Sequence, residues 1–332
     1  MLKAMSSVFL LFLISIMLSA CVAPVKETKK PDQKQAPEIV VQPVEVKEAE
    51  PVIEQPEQQD VLILLSSSAN TYQKVANYLA SSLGEHAVQI TLSGLPAQDK
   101  AVIEDIKVSG THQIVAIGLK AAEAVKGIED KQIIFTQVIT YKKLMLENMH
   151  GVSALPSPEK LFADWKKLSP GLSKVAVVSG NHLDLYLTRA KAAAKAQGIA
   201  LTIELVNSDK GFIYKSKKLK SDVGGQWILP DNRILSGKAL KEVMAYSSRR
   251  GRQIVVFSPK LLSFGGFFYV SPNLEMIAQG VLKRLKELTD KNTQTAFSVL
   301  PVMDHNMGIN KNIARQLNLT IPPEYRNYIN EN

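Results

Sequence analysis

The chain has 332 residues, a formal net charge of +9, 45% hydrophobic residues and a single cysteine. One Cys excludes an internal disulfide, and with it thioredoxin-like, zinc-ribbon and iron–sulfur chemistry. The length leaves room for two modest lobes or one large domain, and beyond the first twenty residues no apolar run is long enough to span a bilayer.

The first twenty residues read as a secretion signal. Lys3 supplies positive charge, residues 8–17 form a short apolar run, and Leu18-Ser19-Ala20 leads into Cys21. The run is about half of the roughly twenty residues that a membrane-spanning helix requires. Leu18-Ser19-Ala20-Cys21 resembles the lipobox of bacterial lipoproteins. That likeness implies removal of residues 1–20, lipidation of the Cys21 thiol with acyl chains such as palmitate, and membrane attachment through lipid alone. Val22 after the Cys then favours an outer-membrane address in a Gram-negative envelope, with the body facing the periplasm.

Residues 22–59 contain no aromatic residue and no Gly, and six prolines from Pro24 to Pro56 are spaced among Glu, Lys, Gln and Val. Such a segment buries too little apolar surface to offset its ordering entropy. Residues 21–59 are therefore expected to be a lipidated Cys followed by a disordered linker, with a reach on the order of 100 Å when extended. Its five Lys stand against eight acidic residues, so the positive excess resides in the body from Asp60 onward.

From Asp60, short apolar or β-branched runs alternate with segments of helical period, the pattern of parallel strands covered by helices. Strand 61–65 is followed by a helix with Tyr72, Val75, Ala76, Leu79 and Leu83 on one face. Strand 87–92, helix 98–107, strand 113–117, helix 119–125 and strand 132–137 continue the series. After Pro156 and Pro158 the rhythm restarts with helix 159–168, strand 174–179, helix 183–197 and strand 199–206. Strand 226–229, helix 237–248 and strand 253–257 follow. Strand 267–270, helix 274–288, strand 296–302 and a short helix at 311–317 close the chain. The expected fold is α/β, with two Rossmann-like lobes whose parallel sheets are flanked by helices. Residues 60–152 plus 271–297 form the first lobe and 153–270 plus 298–332 the second.

An ordered set of short segments carries a family likeness. It comprises Ala116-Ile117-Gly118-Leu119-Lys120-Ala121-Ala122, Gly151-Val152-Ser153 with Pro156-Ser157-Pro158-Glu159, and Leu168-Ser169-Pro170-Gly171-Leu172. Trp227-Ile228-Leu229-Pro230-Asp231, Val270-Ser271-Pro272-Asn273-Leu274 and the run from Ala314 to Pro323 extend it. Together these resemble ABC-transporter substrate-binding proteins of the type I periplasmic-binding fold, in the branch of tryptophan- and tyrosine-binding lipoproteins. The likeness implies a bilobed clamp that closes on a small molecule, with three crossings between lobes. The first unit is shorter than in that family and lacks its Gly-containing signature, which marks a divergent member.

In open α/β sheets ligands sit beyond the carboxyl ends of the strands. There Ser66, Ser67, Ser68 and Asn70 offer hydroxyls and helix N-terminal N–H groups to an anion, with helix capping as the competing role. Gly118 allows close backbone approach and Lys120 adds charge. Ser179 and Asn181 end the first strand of the second lobe, and Asp231 is placed to pair with an amine or to start a turn. Ser258 ends the next strand. The basic clusters Lys215, Lys217, Lys218, Lys220 and Arg249, Arg250, Arg252 read as solvated faces, and no nucleic-acid reading motif accompanies them.

His86, His112, His150, His182 and His305 show no paired metal-ligand spacing, Asp304-His305 alone does not make acid–base machinery, and no cofactor motif occurs. The sequence thus points to a non-catalytic, lipid-anchored solute-binding protein that captures an amino acid-like or anionic small molecule, with an ABC permease as partner. The alternative is an interaction or regulatory lipoprotein that reuses the fold to engage another envelope protein.

Overall fold

The computed structural model describes residues 60–289 and 296–330. The signal peptide 1–20, Cys21 and the linker 22–59 lie outside the described residues.

The first lobe opens with β1 (Val61–Leu65), α1 (Asn70–Leu83), β2 (Ala87–Thr91), α2 (Pro96–Val108), β3 (Gln113–Ile117), α3 (Leu119–Val125), β4 (Gln132–Thr136) and β5 (Met149–Pro156). All five residues of β1 and of β3 are buried, as continuous apolar strands at the centre of a helix-covered parallel sheet must be. Alternate residues feed two cores. Leu62, Leu64, Ile114, Ala116 and Phe135 pack on one face against α2 and α3, and Val61, Ile63, Leu65, Val115 and Ile117 pack on the other against α1.

The second lobe comprises α4 (Pro158–Leu168), β6 (Lys174–Ser179), α5 (Asp184–Ala196), β7 (Ala200–Leu205), α6 (Asp209–Lys218), β8 (Gly225–Trp227), α7 (Gly237–Arg249), β9 (Gln253–Val256) and β10 (Phe268–Pro272). Pro158 at the first turn of α4 and the Ser157 hydroxyl, which accepts from Lys160 N, set the start of that helix. Its apolar face brings in Trp165, which stacks on Phe162 and meets the edge of Phe268. Trp165 Nε1 donates to Gln253 Oε1 at 2.7 Å. Gly225 lies under the indole, where a Cβ would stand 2.5 Å from Trp165 Cζ2, so only Gly fits.

The chain then returns to the first lobe with α8 (Leu274–Thr289) and β11 (Val299–Val302), and ends in the second with β12 (His305–Asn310), α9 (Lys311–Gln316) and β13 (Ile329–Asn330). The first sheet runs β11-β5-β4-β3-β1-β2 and all its pairs are parallel. The second runs β13-β12-β10-β9-β8-β6-β7, with β10 and β12 the antiparallel pair. The crossings fall at Ser157, at Asn273 and between Val302 and His305.

Those crossings differ from the boundaries read in the sequence. β5 stays in the first sheet to Pro156, β10 stays in the second to Pro272, and β11 pairs with β5 in the first sheet, so Val299–Val302 is not part of the second lobe. Apolar strands on either side of a crossing share one pattern, and pairing alone assigns them to a sheet. Helix α6 escaped the periodicity because Phe212 and Ser216 are its only buried residues. Three of the lysines first read as a solvated face belong to its last turn.

His305 is buried, with Nε2 3.0 Å from Asp164 Oδ2, and Tyr325 donates to Asp164 Oδ1 at 2.8 Å. Burial raises Asp164, but His305 close by and hydrogen bonds from Tyr325 and Lys160 outweigh it and hold the carboxyl below its usual range. The cluster ties the C-terminal segment to α4, a structural use of the His considered above for acid–base work.

Candidate functional site

A cavity of about 500 Å³ lies where strand ends of both lobes meet. Leu119, immediately after β3, and Ile139 and Thr140, after β4, face it from the first lobe. His182 follows β6, the run Pro230 to Arg233 follows β8, and Phe257 follows β9 from the second. Leu235 and Leu240 complete the apolar wall. The volume falls within the range of small-molecule sites. Lys142 Nζ and Asp184 Oδ2, 3.5 Å apart, link the lobes beside it.

The polar end is built around Asp231, whose side chain is 2% exposed. Oδ1 accepts from Arg233 N at 3.1 Å and Arg233 Nε at 3.2 Å in a local turn, and the guanidinium is half-exposed. Oδ2 has no hydrogen-bond partner among the described residues, although His182 Nε2 stands 3.2 Å away outside hydrogen-bond geometry. Gly180 makes this meeting possible: a Cβ there would lie 2.5 Å from His182 Cε1 and 2.6 Å from Asp231 Oδ2. Burial pushes the His182 pKa below 6.5, with Asp231 opposing and Arg233 reinforcing the shift. The shift favours the neutral imidazole. An acceptor without a partner, a cation and an apolar wall can together hold a small zwitterion with an apolar body.

Of the ten ligand candidates read from the sequence, Asp231 lines this cavity and the others lie outside its lining. Ser66 is buried and its hydroxyl accepts from Ala121 N at 2.8 Å, tying β1 to the first turn of α3. Ser67, Ser68 and Asn70 are exposed. Gly118 has φ 91°, and a Cβ there would meet Ser66 Oγ at 2.6 Å, so it serves the strand-to-helix turn. Lys120 is exposed beside the lining residue Leu119. Ser179 is buried and its hydroxyl has no partner among the described residues, Asn181 is exposed, and Ser258 is half-buried ahead of the turn 259–264. His182 and Arg233 were not anticipated. Each stands within two residues of a named candidate, and their convergence depends on the spacing of β6 and β8 in the sheet.

A second cavity of about 460 Å³ lies at the C-terminal end of the second lobe, lined by Lys311, Arg315, Arg326 and apolar neighbours. It involves one lobe only. No helix among the described residues is long and apolar enough to cross a membrane.

No family model matches the chain, and no curated protein matches it. Solved structures do. An ABC domain from Streptococcus pneumonia in complex with L-Trp is 17% identical with a TM-score of 0.55, covering 82% of this chain and 99% of its own. A ligand-free, open substrate-binding protein with adhesive properties from Clostridium difficile is 13% identical with a TM-score of 0.61, covering 82% and 98%. A periplasmic ribose ABC transporter protein from Conexibacter woesei is 11% identical at 0.51, covering 82% and 98%. At these identities the likeness defines the fold: the chain has the two-lobed type I periplasmic-binding architecture of ABC-transporter substrate-binding proteins, in a divergent sequence.

Proposed function

We propose that the protein is a non-catalytic solute-binding lipoprotein, lipidated on Cys21 after removal of residues 1–20 and carried above the membrane by residues 22–59. Its body captures a small zwitterion with an apolar side chain between the lobes and presents it to an ABC permease. The observation that carries this reading is Asp231: a buried carboxylate whose Oδ2 has no partner among the described residues, on an interlobe cavity with a largely apolar wall. Such an oxygen is costly to leave unmatched, and a ligand ammonium supplies the missing charge-assisted donor. Arg233 is the complementary group for a carboxylate, and Leu119, Leu235, Leu240 and Phe257 suit an aliphatic or aromatic side chain. L-Trp in one structural neighbour has this chemistry, whereas ribose, named for another, offers no charge to Asp231.

A thermal-shift screen over the amino acids, short peptides, sugars and inorganic anions tests the reading. A ligand present at 100 times its Kd adds roughly 2.7 kcal/mol and lifts Tm by several degrees. The largest shift is expected from apolar amino acids. No shift across the panel, or shifts from sugars alone, would overturn it. Lipidation is read separately: the intact chain partitions into detergent and carries acyl mass on Cys21, and Cys21→Ser loses both.

A further inference from the structure

We infer that His182 is a displaceable plug on Asp231: without a guest the imidazole covers the free carboxylate oxygen, and an amine-bearing guest enters by taking that oxygen over and moving the ring. The inference rests on the amine-binding reading above and adds a selection step to it. Three observations lead to it. Asp231 Oδ2 is buried and lacks a hydrogen-bond partner among the described residues, so its unsatisfied capacity is intact. Beside it stand Gly180, where no Cβ is present, and the His182 ring, which is 13% exposed and itself lines the cavity. In this reading the ring blocks the approach from the cavity to Oδ2. Finally, Nε2 at 3.2 Å misses hydrogen-bond geometry, so the ring shields the carboxylate without satisfying it.

The ring also forms part of the wall between this cavity and a pocket of about 10 Å³ at the seam of the lobes, lined by Ile139 and Tyr141 of the first lobe and Leu183 of the second. Moving His182 therefore alters a surface on which the lobes meet. An analogue of the guest that lacks the ammonium brings no charged donor to Oδ2, which makes the plug a filter for ammonium groups.

Calorimetric titration of the intact chain with L-tryptophan and L-leucine, and with their deaminated analogues indole-3-propionate and 4-methylpentanoate, tests this in the wild type and in His182→Ala. With no plug to displace, His182→Ala should bind the amino acids about 2- to 10-fold more tightly, the cost of moving one shielding side chain, and the deaminated acids no better than the wild type does. Equal tightening for both classes means only a larger cavity and overturns the inference. Weaker binding of the amino acids makes His182 a direct ligand contact and also overturns it. The His182 Cε1–H NMR signal in the wild type supplies a reading free of any substitution: it shifts on saturation with the amino acid if the ring moves, and a static signal contradicts the plug. If the wild type binds neither amino acid, the amine-binding reading itself fails. If it binds them and His182→Ala does not bind more tightly, only the plug fails.

Discussion

Lobe 1 brings Leu119 and Ile139 to the cleft with a single hydroxyl from Thr140, whereas lobe 2 brings His182, Asp231, Asn232 and Arg233. The contrast extends inward. The first sheet packs mainly aliphatic residues on both faces, while the core behind the second is built on Trp165, Trp227, Phe162, Phe267 and Phe268. Aromatic packing gives the polar loops of lobe 2 a rigid base, and ligand chemistry needs such a base where a carboxylate is held out of water. In the proposed binding mode lobe 2 recognises the guest and lobe 1 supplies an apolar cover.

The most drastic way to break this contrast is to remove the base. Trp165→Ala deletes a fully buried side chain and its hydrogen bond to Gln253, at a cost of about 3–5 kcal/mol in unfolding free energy measured by denaturant titration. Next in size is Asp231→Ala, which should weaken an amino-acid ligand by about 2–5 kcal/mol, on the order of 30-fold or more in Kd, while leaving the fold intact. Leu119→Ala in lobe 1 should cost about 1–2 kcal/mol of the same binding energy. If Leu119 outweighs Asp231 in calorimetry, the division of labour between the lobes is reversed.

Much of the architecture was legible from strands that are either wholly apolar or end in Gly and Ser. β3, α3 and β6 fall where their patterns place them, because buried parallel strands and short amphipathic helices leave strong local signals. The site was legible only in outline. The rule that ligands sit beyond strand ends led to the loops after β3, β6 and β8; after β8 the proposed Asp231 itself lines the cavity, but after β3 and β6 the side chain that reaches it stands one to three residues from those proposed. Leu119 lines it in place of Gly118 or Lys120, and His182 in place of Ser179 or Asn181. Which residue of a turn faces inward depends on its φ angles and on neighbours such as Gly180, which local periodicity does not encode. Ser66 illustrates the competing claim on polar groups at strand ends, since its hydroxyl is taken up by the backbone of α3.

The smallest expected effect compares the two lobes by acid sensitivity. Burial holds both His150 in lobe 1 and His182 in lobe 2 below 6.5, with Arg284 adding to the shift at His150 and Asp231 opposing it at His182. The unfolded chain takes up a proton at each near 6.5 while the folded chain resists, so unfolding is favoured as pH falls below about 6.5 and these groups contribute nothing further above it. Tm measured from pH 7.5 down to 5.5 should decline, and His150→Gln should make the decline shallower. An unchanged slope would remove His150 from the explanation.

Amide hydrogen exchange, with and without a saturating amino-acid ligand from the thermal screen, tests most directly whether a guest is held between the lobes. Exchange should slow together at residues 137–141 of lobe 1 and at 180–184 and 230–235 of lobe 2. Protection confined to one lobe, or appearing instead around the second cavity at residues 311–329, would contradict binding in the cleft.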